Sequence, residues 1–143
     1  MKIPAKVEYA YKAILELSLR YGKNGPVQLS TISEAQGIPK KFLIQLLLRL
    51  KNANIVNSAR GIAGGYYLTR PPSQISLADV IRAIDETIIE PPREARRAKA
   101  SDADKLLGRI WADAAKETAR RLEERTFDQL AAQIGAEQFT YQI

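Results

Sequence analysis

The sequence predicts a mostly α-helical fold carrying one small β-hairpin. Three observations lead there. Segment after segment places apolar residues at the three-to-four-residue spacing of an amphipathic helix. One pair of short runs, Ile55-Val56-Asn57-Ser58 and Tyr66-Tyr67-Leu68-Thr69, is rich in β-formers and brackets a glycine-rich tip. The 143 residues are 45% hydrophobic and 27% charged, the balance of a globular chain long enough to bury a core.

Residues 5–21 place Val7, Ala10, Tyr11, Ile14, Leu17 and Tyr21 on one stripe, and Gly22 with the Asn24-Gly25-Pro26 turn ends that helix. A short second helix follows in VQLSTISEAQG, with Leu29, Ile32 and Ala35 on one face. Thr31 and Glu34 have capping-box spacing, and Gln28 is the alternative start. Gly37-Ile38-Pro39 makes a tight break, and proline at the first helical position opens a third helix, PKKFLIQLLLRLKNANIV. At about 100° per residue, Leu43, Leu46, Leu47 and Leu50 gather on its core side. Lys41, Gln45, Leu48 and Asn52 project the opposite way, with Ile44 and Arg49 on the flanks. Two helices joined by a short glycine turn, the second presenting polar and basic groups outward, have the form of a helix-turn-helix. A plain helical hairpin with a solvated face fits this segment equally well.

The hairpin directly afterwards tips that balance. Three helices and then a two-stranded ribbon make the winged form of the helix-turn-helix. On the returning strand Tyr66 and Leu68 share one face by the two-residue period, while Tyr67 takes the other. Residues 23–72 hold seven Lys+Arg against one acid, Glu34. Placed in this way, the third helix enters a major groove and the wing tip lies beside it. Within RGIAGGYYL (60–68), Arg60 sits on a tip kept slender by Gly61, Gly64 and Gly65. It suits a narrow minor groove, where A·T-rich segments have enhanced negative potential.

In the second half Pro71-Pro72 stops the strand and Ser76 opens a fourth helix, LADVIRAIDETII. PPREARRAKA, residues 91–100, reads as a basic linker or loop. Ser101 then caps a long helix of about 24 residues, with Ala103, Leu107, Ile110, Trp111, Ala114, Thr118 and Leu122 in one stripe. That stripe packs either on its own domain or on a twin. Helix-turn-helix proteins commonly bind palindromic sites as two-fold dimers, so Leu107, Ile110, Trp111, Ala114, Thr118 and Leu122 are the expected dimerisation residues. Thr126 to Gln129 caps one last short helix, with a loose tail expected after Gly135. The expected organisation is a winged helix-turn-helix in residues 1–75, followed by a helical linker and dimerisation region in residues 76–143.

Composition narrows the chemistry. With no cysteine and no histidine, disulfides, thiol redox steps, cysteine-held iron–sulfur clusters, the usual zinc sites and Ser-His or Cys-His pairs are all excluded. Carboxylate pairs remain, namely Asp102 with Asp104 and Asp85 with Glu86. Both lie where helix ends ordinarily carry acids, so no enzyme, metal or cofactor is expected. The net charge is +6, unevenly spread: residues 1–72 carry +8 and residues 73–143 carry −2. A basic half joined to a slightly acidic one points to a polyanionic partner. No apolar run approaches the roughly 18–20 residues that cross a bilayer, and no charged-then-apolar leader is evident, so a cytoplasmic protein without membrane contact is expected.

Two stretches resemble a known family. RGIAGGYYLTRPPSQISLADVIRAID is similar to the wing of the Rrf2 family of bacterial winged-helix transcription regulators, and IPKKFLIQLLLRLKNANIV resembles its recognition helix. The resemblance runs through residues 1–88 and more weakly along the long helix. It implies that Lys41, Ile44 and Gln45 stand on the groove-reading helix and Arg60-Gly61 on the minor-groove wing. Ile44 departs from the family, where glutamate is frequent; an aliphatic group cannot accept a hydrogen bond from cytosine but can touch a thymine methyl. Many members also hold an iron–sulfur cluster with three cysteines before the long helix. Here that stretch, ETIIEPPREARRAKASDADK, has none, which implies a cluster-free member, natural or engineered.

The expected function is thus a homodimeric, sequence-specific DNA-binding regulator of transcription; a repressor is the form the resemblance suggests, while the residues leave repressor and activator open. Lys40, Lys41, Arg49 and Ser58 are expected to hold phosphates, Gln45 to read adenine bidentately, and Arg60 with Gly61, Gly64 and Gly65 to enter the minor groove. Expected partners are double-stranded DNA, a second copy of the chain, and a small-molecule or protein effector that residues 88–105 would receive. The alternative is a winged-helix protein-interaction module.

Overall fold

The computed structural model describes residues 2–23, 25–90 and 99–142, with side chains described as far as residue 137. Its helices are α1 (Ala5–Leu19), α2 (Leu29–Gln36), α3 (Lys40–Asn52), α4 (Leu77–Asp85), α5 (Asp102–Glu123) and α6 (Phe127–Gln142). Between α3 and α4 lies an antiparallel hairpin of β1 (Val56–Ala59) and β2 (Gly65–Leu68). Val56 pairs with Leu68, Asn57 with Tyr67, Ser58 with Tyr66 and Ala59 with Gly65. The mostly helical class with one small hairpin is therefore the observed architecture.

One apolar core unites the helices with the hairpin. Val7, Ala10, Ile14 and Leu17 of α1 meet Ile32 of α2, Leu43, Leu46, Leu47 and Leu50 of α3, and Val80, Ile81 and Ile84 of α4, all buried. Val56 and Leu68 close it from the hairpin, and Phe127, fully buried at the start of α6, closes it from the C-terminal side. Burying such side chains contributes roughly 1.5–3 kcal/mol each before the cost of chain ordering. Two stripe residues depart from the expected burial. Tyr21 is 45% exposed because α1 ends at Leu19, and Ala35 is exposed at the end of α2.

The helix-turn-helix angle is fixed locally. Gly37 adopts φ +63°, closing α2 in the left-handed conformation that favours glycine. Ser33 Oγ donates to the Ile38 carbonyl at 2.6 Å, and the Ile38 N–H returns to Ser33 O at 3.0 Å. Glu16, buried on α1, accepts from Arg20 and from Gln36 of α2, each at 3.3 Å, so α2 is tied to α1 through a satisfied carboxylate. Helix starts shift slightly from expectation. Gln28, not Thr31, is the N-cap of α2, and Pro39 is the N-cap of α3 rather than its first helical residue.

Ser76 and Ser101 cap α4 and α5, as the sequence predicts, and each does so within a reciprocal capping box, with Asp79 and Asp104. Asp104 is thus engaged at a helix start. Asp85 accepts from Thr87 and pairs with Lys6 Nζ at 3.0 Å, and these bonds hold its carboxyl below the usual range. The chain beyond Gly135 is not loose: α6 runs on to Gln142. Phe127 anchors its first turn, and a single helical glycine costs only about 1 kcal/mol relative to alanine. The basic linker expected at 91–100 falls mostly on residues 91–98, outside the described residues. Among the described residues no helix is long and apolar enough to cross a membrane.

Candidate nucleic-acid interface

The candidate surface begins with α3. Its core side is buried, so the remaining side chains face outward: Lys40, Lys41, Ile44, Gln45, Leu48, Arg49 and Lys51 are all exposed. The helix carries four cations and no acid. It ends in a tight reversal in which Asn54 takes φ +59° and the Ile55 N–H returns to Leu50 O at 3.0 Å. That reversal feeds β1 directly, so the wing leaves from the end of α3. Lys51 Nζ donates to Ser58 Oγ at 3.0 Å, tying the end of α3 to the wing.

The wing is braced a second time from α2. The Gln28 side chain donates to the Ile62 carbonyl at the tip at 3.3 Å. Behind it, Val27 and Tyr66 exchange backbone hydrogen bonds at 2.8 Å in each direction, so a single antiparallel bridge ties the segment before α2 to β2. Arg60, Gly61 and Ile62 form the exposed tip, Ile62 being 98% exposed.

The wing glycines divide into two roles. Gly61, at φ +104°, is exposed with open space where a Cβ would stand. Gly64 is buried: its N–H closes the turn on Gly61 O at 3.0 Å, and a Cβ there would lie 2.3 Å from Ala59 O. At Gly65, φ +144°, a Cβ would lie 2.4 Å from Val27 O. Gly64 and Gly65 are therefore required by the wing's own backbone packing.

Arg49 serves the body as well as the surface, since its Nη1 donates to the Ile84 carbonyl at the end of α4 at 2.8 Å. Four guanidinium hydrogens remain for other acceptors. Gln45 and Arg49 line a hollow of about 280 Å³ with Lys6, Tyr9 and Phe42, where α1 meets α3. The rings of Tyr9 and Phe42 stand 6.5 Å apart. The wing-bracing roles of Gln28 and Lys51 escaped the sequence reading because their partners, 34 and 7 residues on, lie on the hairpin rather than on the same element.

The stripe on α5 splits. Leu107, Ile110 and Trp111 are 48–52% exposed, and Ala114 is exposed beside them. Thr118 and Leu122 instead turn toward their own body, lining a cleft with Ile3, Tyr11 and Ile81. Leu122 packs on the core, and Arg82 Nη2 of α4 meets Glu123 Oε1 at 2.6 Å.

Comparison with known proteins agrees with this architecture. The Rrf2 family, described as "Iron-dependent Transcriptional regulator", matches residues 3–133. The transcriptional regulator IscR of Klebsiella pneumoniae is 35% identical over 131 residues, covering 91% of this chain and 79% of that protein. IscR of Sodalis glossinidius is 46% identical over 88 residues, covering 62% and 53%. A putative regulator of Synechocystis, 42% identical over 88 residues, is covered over 59% of its length, so these alignments span just over half of those two relatives. Among solved structures, IscR of T. potens has a TM-score of 0.74 at 30% identity, covering 91% of this chain and 86% of that one. CymR, the global cysteine regulator of B. subtilis, reaches 0.76 at 28%, covering 92% and 97%. Iron of the thiolate-held kind does not fit this chain. It has neither cysteine nor histidine, and among the described residues no three acids gather as a metal site. By sequence and fold alike, the chain belongs to the Rrf2 family of transcriptional regulators.

Proposed function

We propose that this chain is a sequence-specific DNA-binding regulator that acts in the cytoplasm as a homodimer on a palindromic operator, with α3 in the major groove and Arg60 in the minor groove. The observation that carries the reading is a cationic outer face of α3 joined to the wing by Lys51–Ser58, with the wing tip braced separately from the start of α2 by Gln28–Ile62. Lys40 and Lys41 would hold phosphates, with Arg49 and Ser58 contributing from positions they share with Ile84 and Lys51. Gln45 would pair with adenine and Ile44 would touch a thymine methyl. Gly61 lets the tip approach the sugar walls, while Gly64 and Gly65 shape the turn that presents Arg60. The twin would pack on Leu107, Ile110, Trp111 and Ala114, with Thr118 and Leu122 at the margin of that contact. A small-molecule or protein effector would act through residues 88–105, of which 91–98 lie outside the described residues.

Fluorescence anisotropy on duplexes selected from a random pool tests this. Affinity is expected to fall steeply with salt, as phosphate neutralisation requires. Gln45→Ala should cost about 1–3 kcal/mol on the selected site and relax preference at one base pair, whereas Lys41→Ala should weaken all duplexes alike and lower the salt slope by about 1. Equal losses on selected and random DNA for both variants would refute these roles. Selection of no duplex, together with salt-insensitive protein binding, would favour the protein-interaction module.

A further inference from the structure

Two aliphatic side chains stand on the exposed side of α3, beside Lys41 and Gln45. Leu48 is 58% exposed and Ile44 51%. At about 100° per residue Leu48 stands roughly 160° around the helix from the buried Leu50, almost diametrically outward. Ile44 lies one turn earlier, so the two side chains form a continuous ridge about 6 Å long, four residues at 1.5 Å each. Nothing on that ridge can donate or accept a hydrogen bond. Around it stand Lys40, Lys41, Arg49 and Lys51, with no acid anywhere on the helix. An apolar groove on a protein would not need that cationic ring, whereas a phosphate-walled groove does.

In the major groove of B-DNA only thymine presents a methyl group; the edges of guanine, cytosine and adenine present donors and acceptors. Successive base pairs are separated by 3.4 Å, so a ridge of about 6 Å spans two steps. We propose that Leu48, acting with Ile44, is a specificity-determining residue that reads the C5-methyl groups of thymines about two steps apart in each half-site. The proposal rests on α3 being the groove-entering helix. Leu48 contributes by covering the methyl from water, so each contact is worth roughly fourfold in affinity, the value of one buried carbon.

Uracil in place of thymine removes the methyl and leaves every hydrogen-bonding group intact. A duplex selected by the wild-type chain is rebuilt with single thymine-to-uracil changes, and binding is followed by anisotropy at fixed salt. Two positions, two steps apart, are expected to lose roughly fourfold each. Leu48→Ala should abolish the loss at one and Ile44→Ala at the other, while Lys41→Ala keeps both losses. Leu48→Gln, of similar length, is expected to behave as Leu48→Ala and guards against an effect of truncation. Both sites are exposed and alanine is the strongest helix former, so melting of the variants should match the wild type. Tight, salt-dependent binding that ignores uracil at every position, or a uracil loss undiminished in Leu48→Ala, overturns methyl reading alone. Failure of the chain to select any duplex overturns the groove assignment with it.

Discussion

Gly65 shows how a single atom shapes the wing. Its φ of +144° and the 2.4 Å approach that a Cβ would make to Val27 O leave no room for a side chain. The Val27–Tyr66 exchange of hydrogen bonds depends on that approach. Gly65→Ala should therefore lower the urea midpoint by an amount equivalent to about 1–3 kcal/mol, the cost of a backbone held in a disfavoured region. Gly61→Ala, strained in φ but with open space around it, should cost less. Equal effects at the two positions would show that the contact with Val27 contributes nothing. All three wing glycines stand out in the sequence, but their spacing does not tell a tip with open space around it from a turn that meets its own chain. Only the path of residues 25–28 past the hairpin separates them.

Between elements, the seat of α4 on α1 rests partly on one phenol. Tyr11 Oη donates to the Leu77 carbonyl at 3.0 Å, and its ring lies 6.0 Å from that of Phe127. Burial, and then the charge of Glu8, pushes its pKa from 10.0 up to about 12. A group whose folded pKa is raised contributes stability that is complete below the unfolded value and is lost as pH climbs through the folded one. The melting temperature of the wild type should accordingly fall between pH 10 and about 12. In Tyr11→Phe that part of the fall should vanish, while the variant is already less stable at pH 8. Parallel curves for the two proteins would exclude Tyr11 from the alkaline transition. The stripe of α1 marks Tyr11 as an inward residue by its period, but its partners lie 66 and more residues away and carry no local signal.

Across the whole molecule, α5 is anchored at one end and bare along the other. Leu122 and Glu123 bind it to the body through the core and Arg82, whereas Leu107, Ile110 and Trp111 remain about half exposed. An apolar row of this kind on a helix returning to its own domain suits a two-fold partner. Ile110→Asp is expected to shift sedimentation from dimer to monomer with little change in melting. Affinity for a palindromic duplex should then drop roughly 100-fold, since the second half-site no longer binds intramolecularly. A variant that remains dimeric would exclude this stripe as the interface.

The helices, the capped starts at Ser76 and Ser101 and the glycine-rich hairpin could be read along the chain because each follows from a local rule: a repeat of 3.6 or two residues, or a cap three positions from its partner. The basic bias of residues 1–72 was legible for the same reason, as charge is additive. Burial of Phe127, division of the α5 stripe, the double bracing of the wing and the helical run beyond Gly135 were not legible. Each depends on which surfaces meet after the chain turns back on itself, and an amphipathic period states that a face is covered without stating by what.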